Sequence, residues 1–361
     1  MSSHTSSSYT IGVLPGDGIG VEVVAEGLKV LATCAERFGF TYRTIDYPYG
    51  ADHFLATGEL LPAAALAEMK TLDAVLLGAI GDPRIEVGKL ERAIVAGVRF
   101  GLDLYINLRP VRLVAEHLCP LKDKTCEDVD LVVVRENTEG EYSQISGHLR
   151  AGTADEIATQ LTVFTRMGVE RTVRYAFDLA RARKKKKKVT LVDKANALRA
   201  QDIWTRVFEE VGAEYPDIQR DHAYVDAACM WMIKNPEWFD VIVTTNLFGD
   251  IVSDVGAMIQ GGLGIAAGGN IHPGKVSMFE PIHGSAPKYR GKNCASPVAT
   301  IAAVQMMLEH LGETEAAAAI ERAIAGLLTS RRIPDLTAYS GMSTTRVGDL
   351  VVEELHAVCG A

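Results

Sequence analysis

Asp250 and Asp254 stand four residues apart in Asn246-Leu-Phe-Gly-Asp-Ile-Val-Ser-Asp254. Residues at that spacing share one face of a helix. Like charges so placed repel unless a cation lies between them, and hard carboxylate oxygens suit Mg²⁺ or Mn²⁺. Asp226, in Tyr224-Val-Asp-Ala227, is a candidate third ligand. A plainer use competes: Asp250 complements the start of a helix, and Asp254 is solvated.

Three arginines form a second candidate set. Arg99 and Arg109 flank Phe100-Gly-Leu-Asp-Leu-Tyr-Ile-Asn-Leu108, and Arg135 follows an apolar run that ends at Val134. The planar guanidinium fork matches a carboxylate in a bidentate way. Arg109 precedes Pro110, which biases it to extended backbone. Arg135 sits at a strand's carboxyl end, where open α/β sheets place ligands. Taken singly, each arginine is as well explained by a surface ion pair.

Lys194 follows the run Val189 to Asp193, and Tyr142 lies in Arg135-Glu-Asn-Thr-Glu-Gly-Glu-Tyr142. A lysine desolvated beside a metal can accept a proton near neutral pH, and an adjacent tyrosine can relay one. Two loops are rich in Gly and Pro. Pro15-Gly-Asp-Gly-Ile-Gly20 suits a phosphate cradle or a tight strand-to-helix turn. In Phe279-Glu-Pro-Ile-His-Gly-Ser-Ala-Pro-Lys-Tyr-Arg-Gly291, small residues would let backbone amides approach phosphates, and His283 could meet a base.

The elements that must hold these groups alternate in type. Apolar runs at Tyr9–Leu14, Asp73–Leu77, Asp130–Val134, Val189–Val192 and Phe239–Thr244 read as strands buried on both faces of a largely parallel sheet. Helical patterns cover Val21–Phe38, Val169–Ala182, Ile203–Val211, Ile301–Leu311 and Glu313–Leu328. This alternation is α/β. Gly261–Gly269 reads as a turn-forming loop, Lys184–Lys188 as a solvated helix end, and Met1–Ser8 as a tail.

The chain has 361 residues, enough for about two domains. Apolar residues make up 48% and charged residues 23%, which supports a sizeable core. A net charge of −9 argues against a general nucleic-acid binder. No apolar stretch is long enough for a membrane span. The polar start does not read as a secretory signal. Six scattered cysteines lack zinc-ligand spacing and fit a reduced, cytoplasmic protein.

The motifs PGDGIG at Pro15, LRPVRL at Leu108, VRENTEGEYS at Val134, NLFGDIVSD at Asn246 and FEPIHGSAP at Phe279 occur in one order along nearly the whole chain. In this the chain resembles the β-decarboxylating dehydrogenase family, which includes the 3-isopropylmalate, isocitrate, homoisocitrate and tartrate or D-malate dehydrogenases. The resemblance implies the isopropylmalate dehydrogenase-like, non-Rossmann fold: two α/β domains with a largely parallel sheet and helices on both faces. Residues 1–104 and 261–361 would form the cofactor domain, and residues 105–260 the dimerisation and substrate domain.

It also implies a homodimer whose active site is shared across the interface. Arg99, Arg109 and Arg135 would hold the carboxylates of a dicarboxylate substrate. Asp250 and Asp254, with Asp226 of a second copy, would bind Mg²⁺ or Mn²⁺. Lys194, also of the second copy, through Asp226 or water, would take the hydroxyl proton before hydride leaves C2, and Tyr142 would protonate C3 after CO₂ is lost. Glu280, His283, Gly284, Ser285, Ala286, Lys288, Tyr289 and Ser296 would contact the nicotinamide cofactor. The resemblance implies no nucleic-acid or membrane partner.

Family members differ at the segment before Arg99. Here Ala93, Ile94, Val95, Ala96 and Val98 are apolar, where isocitrate enzymes offer Ser and Asn. Ile94 and Val95 would line an alkyl pocket, which favours 3-isopropylmalate. Burial of the alkyl group is worth about 2 kcal/mol, whereas a third carboxylate would be unpaired. RENTEGEYS makes a tartrate or D-malate enzyme the alternative, then isocitrate or homoisocitrate. A non-catalytic regulatory subunit would have lost some of the eight residues just named for substrate, metal and proton transfer. For the cofactor, Lys288-Tyr289 resembles the NADP pattern and Pro334-Asp335 the NAD pattern. The resemblance favours NAD, with NADP as the alternative.

Overall fold

The apolar runs become strands because nothing in them prefers water on either face. Ala74–Ala79 and Val241–Thr244 are buried at every residue. The computed structural model describes residues 7–359. Ser8, expected in a tail, opens the first strand, and residues 1–6 lie outside the described residues.

The chain begins with β1 (Ser8–Gly16), α1 (Gly20–Phe38), β2 (Thr41–Asp46), α2 (Ala51–Thr57), α3 (Ala63–Met69), β3 (Ala74–Ala79) and α4 (Ala96–Gly101). Then come β4 (Ile106–Arg112), β5 (Asp130–Glu136), the hairpin β6 (Ser146–Leu149) and β7 (Ile157–Gln160), and α5 (Arg166–Arg183). Next are β8 (Lys188–Asp193), α6 (Asp202–Gly212), β9 (Gln219–Tyr224), α7 (Val225–Lys234), β10 (Val241–Thr244) and α8 (Asn246–Ile259). The chain closes with β11 (Ala267–Ile271), β12 (Ser277–Pro281), α9 (Val298–His310), α10 (Thr314–Thr329) and α11 (Thr344–Val358).

Two compact units result. One holds Met1–Leu104, Leu113–Cys126 and Gln260–Ala361, and the other holds Tyr105–Arg112 and Glu127–Ile259. The boundaries drawn from sequence put residues 113–126 in the middle domain, whereas this segment groups with the terminal unit. Thr329 Oγ1, for example, donates to the Val114 carbonyl at 3.3 Å.

In the terminal unit the strand order is β2-β1-β3-β12-β11, parallel except for β11. One face is covered by α1 and α9, and α10 and α11 pack against those two helices. Val75 and Leu77 alternate to the other face and join Met69, Leu90, Ile94 and Val98 in a second core. Gly261–Gly269, expected as a loop, is a loop only in its first part, because Ala267 already pairs with Pro281.

In the middle unit the order is β4-β5-β10-β8-β9, with β4 antiparallel and the rest parallel. Helices α5 and α6 pack as one pair on the strands and α7 and α8 as another, one pair to each face. The lysine run is more tightly held than a solvated helix end. Lys185 Nζ donates to Asp130 at 2.6 Å and Lys188 Nζ pairs with Asp221 at 2.6 Å. No helix among the described residues is long and apolar enough to cross a membrane.

Candidate active site

Arg109 and Arg135 come from adjacent antiparallel strands, with Asn107 opposite Arg135 in the register. Both side chains are almost fully buried, so both depend on partners. Arg109 Nε donates to Asn107 Oδ1 at 2.7 Å and Nη1 to Ser253 Oγ at 2.8 Å. Its guanidinium also lies 3.5 Å from a carboxylate oxygen of each of Asp250 and Asp254. Arg135 donates through Nε and Nη2 to Asn246 Oδ1, at 3.0 and 2.8 Å, and through Nη1 to Asp250.

Helix α8 does carry Asp250 and Asp254 on one face, and that face looks onto the two arginines. Gly249 allows the approach, since a Cβ there would stand 2.4 Å from Arg135 Cγ. Tyr142 Oη donates to Asp250 Oδ2 at 3.1 Å, and its ring lies 5.6 Å from the Arg135 guanidinium carbon. Partial burial and the neighbouring Asp250 charge push the Asp254 carboxyl up, against the pull of Arg109. Two part-exposed carboxylates of this kind fit a hard divalent cation.

Lys194 leaves the end of β8 and donates through Nζ to Asp226 Oδ1 on α7 at 2.6 Å. That bond holds the exposed Asp226 carboxyl below its usual range. The Lys194 backbone is fixed by Gln201 Oε1, which accepts its N–H at 2.6 Å. Among the described residues of one chain, no three His, Cys, Asp or Glu side chains close on a point that could hold a metal. The chain thus joins Asp250 with Asp254, and Asp226 with Lys194, as two separate pairs.

The terminal unit gathers the residues expected at the cofactor. Among the described residues, His283 Nε2 is buried without a hydrogen-bond partner, and none lies within 4 Å of the position a Cβ would take at Gly284. An unpaired ring nitrogen beside an open glycine suits a nucleotide. Burial lowers the His283 pKa, against the bond to the Gly284 carbonyl. Ser285 Oγ donates to the Gly81 carbonyl at 2.6 Å, Ala286 takes the left-handed conformation, and the Ser296 hydroxyl accepts the Val298 N–H at the start of α9. Lys288 Nζ lies 4.7 Å from the centre of the Tyr289 ring, and Tyr289 Oη donates to Tyr339 Oη at 2.8 Å. Glu280 accepts from Arg99 Nη2 at 2.7 Å and from Asn270 Nδ2 at 2.8 Å.

PGDGIG is a tight turn rather than a phosphate cradle. The amides of Asp17, Ile19 and Gly20 donate to the carbonyls of Ala79, Ser285 and Asp17. A Cβ at Gly18, where φ is +58°, would stand 1.9 Å from the Ser285 carbonyl oxygen. The buried Asp17 carboxylate accepts the Ala51 and Gly81 amides at 2.6 and 2.9 Å, so it ties three loops together. Ile94, expected to line the substrate pocket, is 1% exposed and belongs to the core with Leu90 and Val98. Only Val95 of the named pair keeps partial exposure. Sequence reasoning missed Asn107, Asn246, Ser253 and Asp17. For Asn246 and Ser253 the available signal was their seven-residue spacing, which places them on the face of α8 that carries the aspartates.

A profile of the isocitrate/isopropylmalate dehydrogenase family matches residues 10–351. The chain belongs to that family. Its relatives include a 3-isopropylmalate dehydrogenase of Thermobifida fusca (strain YX), 51% identical over 356 residues, which cover 97% of this chain and 99% of the relative. Another, from Rhodococcus erythropolis (strain PR4 / NBRC 100887), is 47% identical and covers 96% of this chain and 99% of its own. Among solved structures of the isocitrate/isopropylmalate dehydrogenase family, the isocitrate dehydrogenase of Methylococcus capsulatus superposes with a TM-score of 0.86 at 39% identity, over 96% of this chain and 99% of that one.

Proposed function

We propose that this chain catalyses the oxidative decarboxylation of 3-isopropylmalate to 4-methyl-2-oxopentanoate and CO₂, with reduction of NAD. The observation that carries the reading is the meeting of two buried arginines with paired aspartates and Tyr142 in the middle unit. The naming of the relatives at 47–51% identity supports the choice of substrate. So does the lack of any Ser or Asn between Ala93 and Val98 to meet a third carboxylate.

Asp250 and Asp254, with a second copy's Asp226, would hold Mg²⁺ or Mn²⁺, which would supply polarisation of the substrate's 2-hydroxyl, and a bound NAD would supply the hydride acceptor for C2. Arg99, Arg109 and Arg135 are the carboxylate-binding residues of this reading. Fixing the substrate in this way supplies several kcal/mol of the barrier reduction. Lys194 of the same second copy receives the hydroxyl proton, directly or through its Asp226. Tyr142 returns a proton to C3 after CO₂ departs.

A second copy is part of the proposal because one chain leaves Asp226 apart from Asp250 and Asp254. Exposed Met230 and Ile233 on α7, and Ile251 and Met258 on α8, offer it an apolar contact. We assign the cytoplasm, since all six cysteines are free thiols. NADP is the second reading, favoured by the Lys288, Tyr289 and Tyr339 group.

The test is a substrate panel at saturating Mn²⁺ with each cofactor: 3-isopropylmalate, D-malate, tartrate, isocitrate and homoisocitrate. The expected result is the largest kcat/KM for 3-isopropylmalate. A larger value for isocitrate would refute the apolar-segment argument, and no reduced cofactor with any substrate would refute the enzyme reading.

A further inference from the structure

Asn246 is the first residue of α8, just inside the cap position Thr245, where an asparagine side chain can bond the backbone of its own helix. Its side chain is used otherwise. Oδ1 accepts two N–H bonds from one edge of the Arg135 guanidinium, at 3.0 and 2.8 Å. Nδ2 donates to the Glu139 carbonyl at 3.1 Å. The residue is 2% exposed, and Arg135 is equally buried.

The amide therefore joins a substrate-facing arginine on β5 to the loop that leads, three residues on, to Tyr142. Only a flat group with an acceptor at one end and a donor at the other does both. With the Nε/Nη2 edge held by Asn246, Nη1 is the nitrogen turned to Asp250. A guanidinium fixed along one edge loses little entropy when a carboxylate meets the other.

We propose that Asn246 is a positioning residue for the substrate: it sets the plane of the Arg135 guanidinium, so that a substrate carboxylate is met by the Nη1 edge. This rests on the functional reading above only in taking Arg135 as a carboxylate-binding residue.

The test is Asn246→Ala in the full-length holoenzyme, alone and combined with Arg135→Lys. Titration calorimetry with 3-isopropylmalate and Mn²⁺, without cofactor, runs beside steady-state kinetics. Asn246→Ala should raise the substrate Kd and KM about tenfold, leave the cofactor KM within about twofold, and lower kcat by less than KM rises. In the Arg135→Lys background the same change should cost less than about twofold, because the residue it acts through is gone.

An unchanged substrate Kd, or an equal loss in both backgrounds, would overturn the proposal. Should the alanine variant not fold, Asn246→Asp keeps an acceptor for both N–H groups. Its substrate Kd should then stay within about fivefold of wild type, and a loss of about tenfold or more would overturn the proposal. Failure of the functional reading shows separately, as wild-type protein that neither binds nor turns over 3-isopropylmalate.

Discussion

Arg99 and Glu280, 181 residues apart in sequence, are joined by a 2.7 Å bond from Nη2 to Oε1. The carboxylate is almost buried and accepts from Asn270 as well, so it is an anchor rather than a mobile counter-ion. Glu280→Gln keeps the shape and removes the charge. Substrate KM should rise about five- to twentyfold, as expected for loss of a charge-assisted bond worth about 1–2 kcal/mol. An unchanged KM would mean that Arg99 needs no such anchor.

Spacing alone suggests that Asp250→Asn relieves repulsion from Asp254. The buried Arg135 reverses that expectation, because Asp250 is the carboxylate its Nη1 meets. The substitution should cost about 1–3 kcal/mol of stability, less than for a fully buried pair because Asp250 is 38% exposed. Urea unfolding without metal checks the sign: an equal or more stable variant would show that repulsion dominates. Mn²⁺ affinity should fall in the same protein.

Burial pushes Glu136 up to about 7, against the bonds it accepts from the Thr138 and Glu139 amides. Its folded value lies above its unfolded one. The stability it contributes is therefore full below the ordinary glutamate range and is lost as pH rises through about 7. In Glu136→Gln that pH dependence should vanish, so Tm relative to wild type should climb between about pH 5 and pH 8. A constant difference across that range would show that Glu136 titrates alike in both states.

Lys288 is exposed, beside the hydroxyl pair of Tyr289 and Tyr339. Lys288→Asp should raise the KM for NADP and lower that for NAD, shifting their ratio about tenfold or more. Stability should hardly change. If discrimination between the cofactors does not move, the residue lies outside the region that reads the adenosine ribose.

The pairing of Asp250 with Asp254 was legible because helical period is a local property, and Arg109 was legible as extended because Pro110 restricts its neighbour. PGDGIG was ambiguous. Glycine spacing permits both a cradle and a turn, and only the engaged amides of Asp17, Ile19 and Gly20 decide between them. The sequence could not separate Ile94 from Val95, because an apolar segment has two sides. A wide helical turn over Glu91–Val95 sends Ile94 into the core and leaves Val95 partly outside. Helical spacing could place Asn246 on the aspartate face of α8, but not its bond to Arg135, which lies 111 residues earlier.

The terminal unit closes around residues that emerge from the ribosome far apart. Ala74 of β3 pairs with Ser277 of β12, and the Tyr9 hydroxyl reaches the Leu311 carbonyl. The nascent chain must therefore keep β1 to α4 waiting while everything up to α8 is synthesised. The middle unit, finished earlier, can mature first, and the apolar strands of the opening segment lack their β12 partner until the last hundred residues arrive.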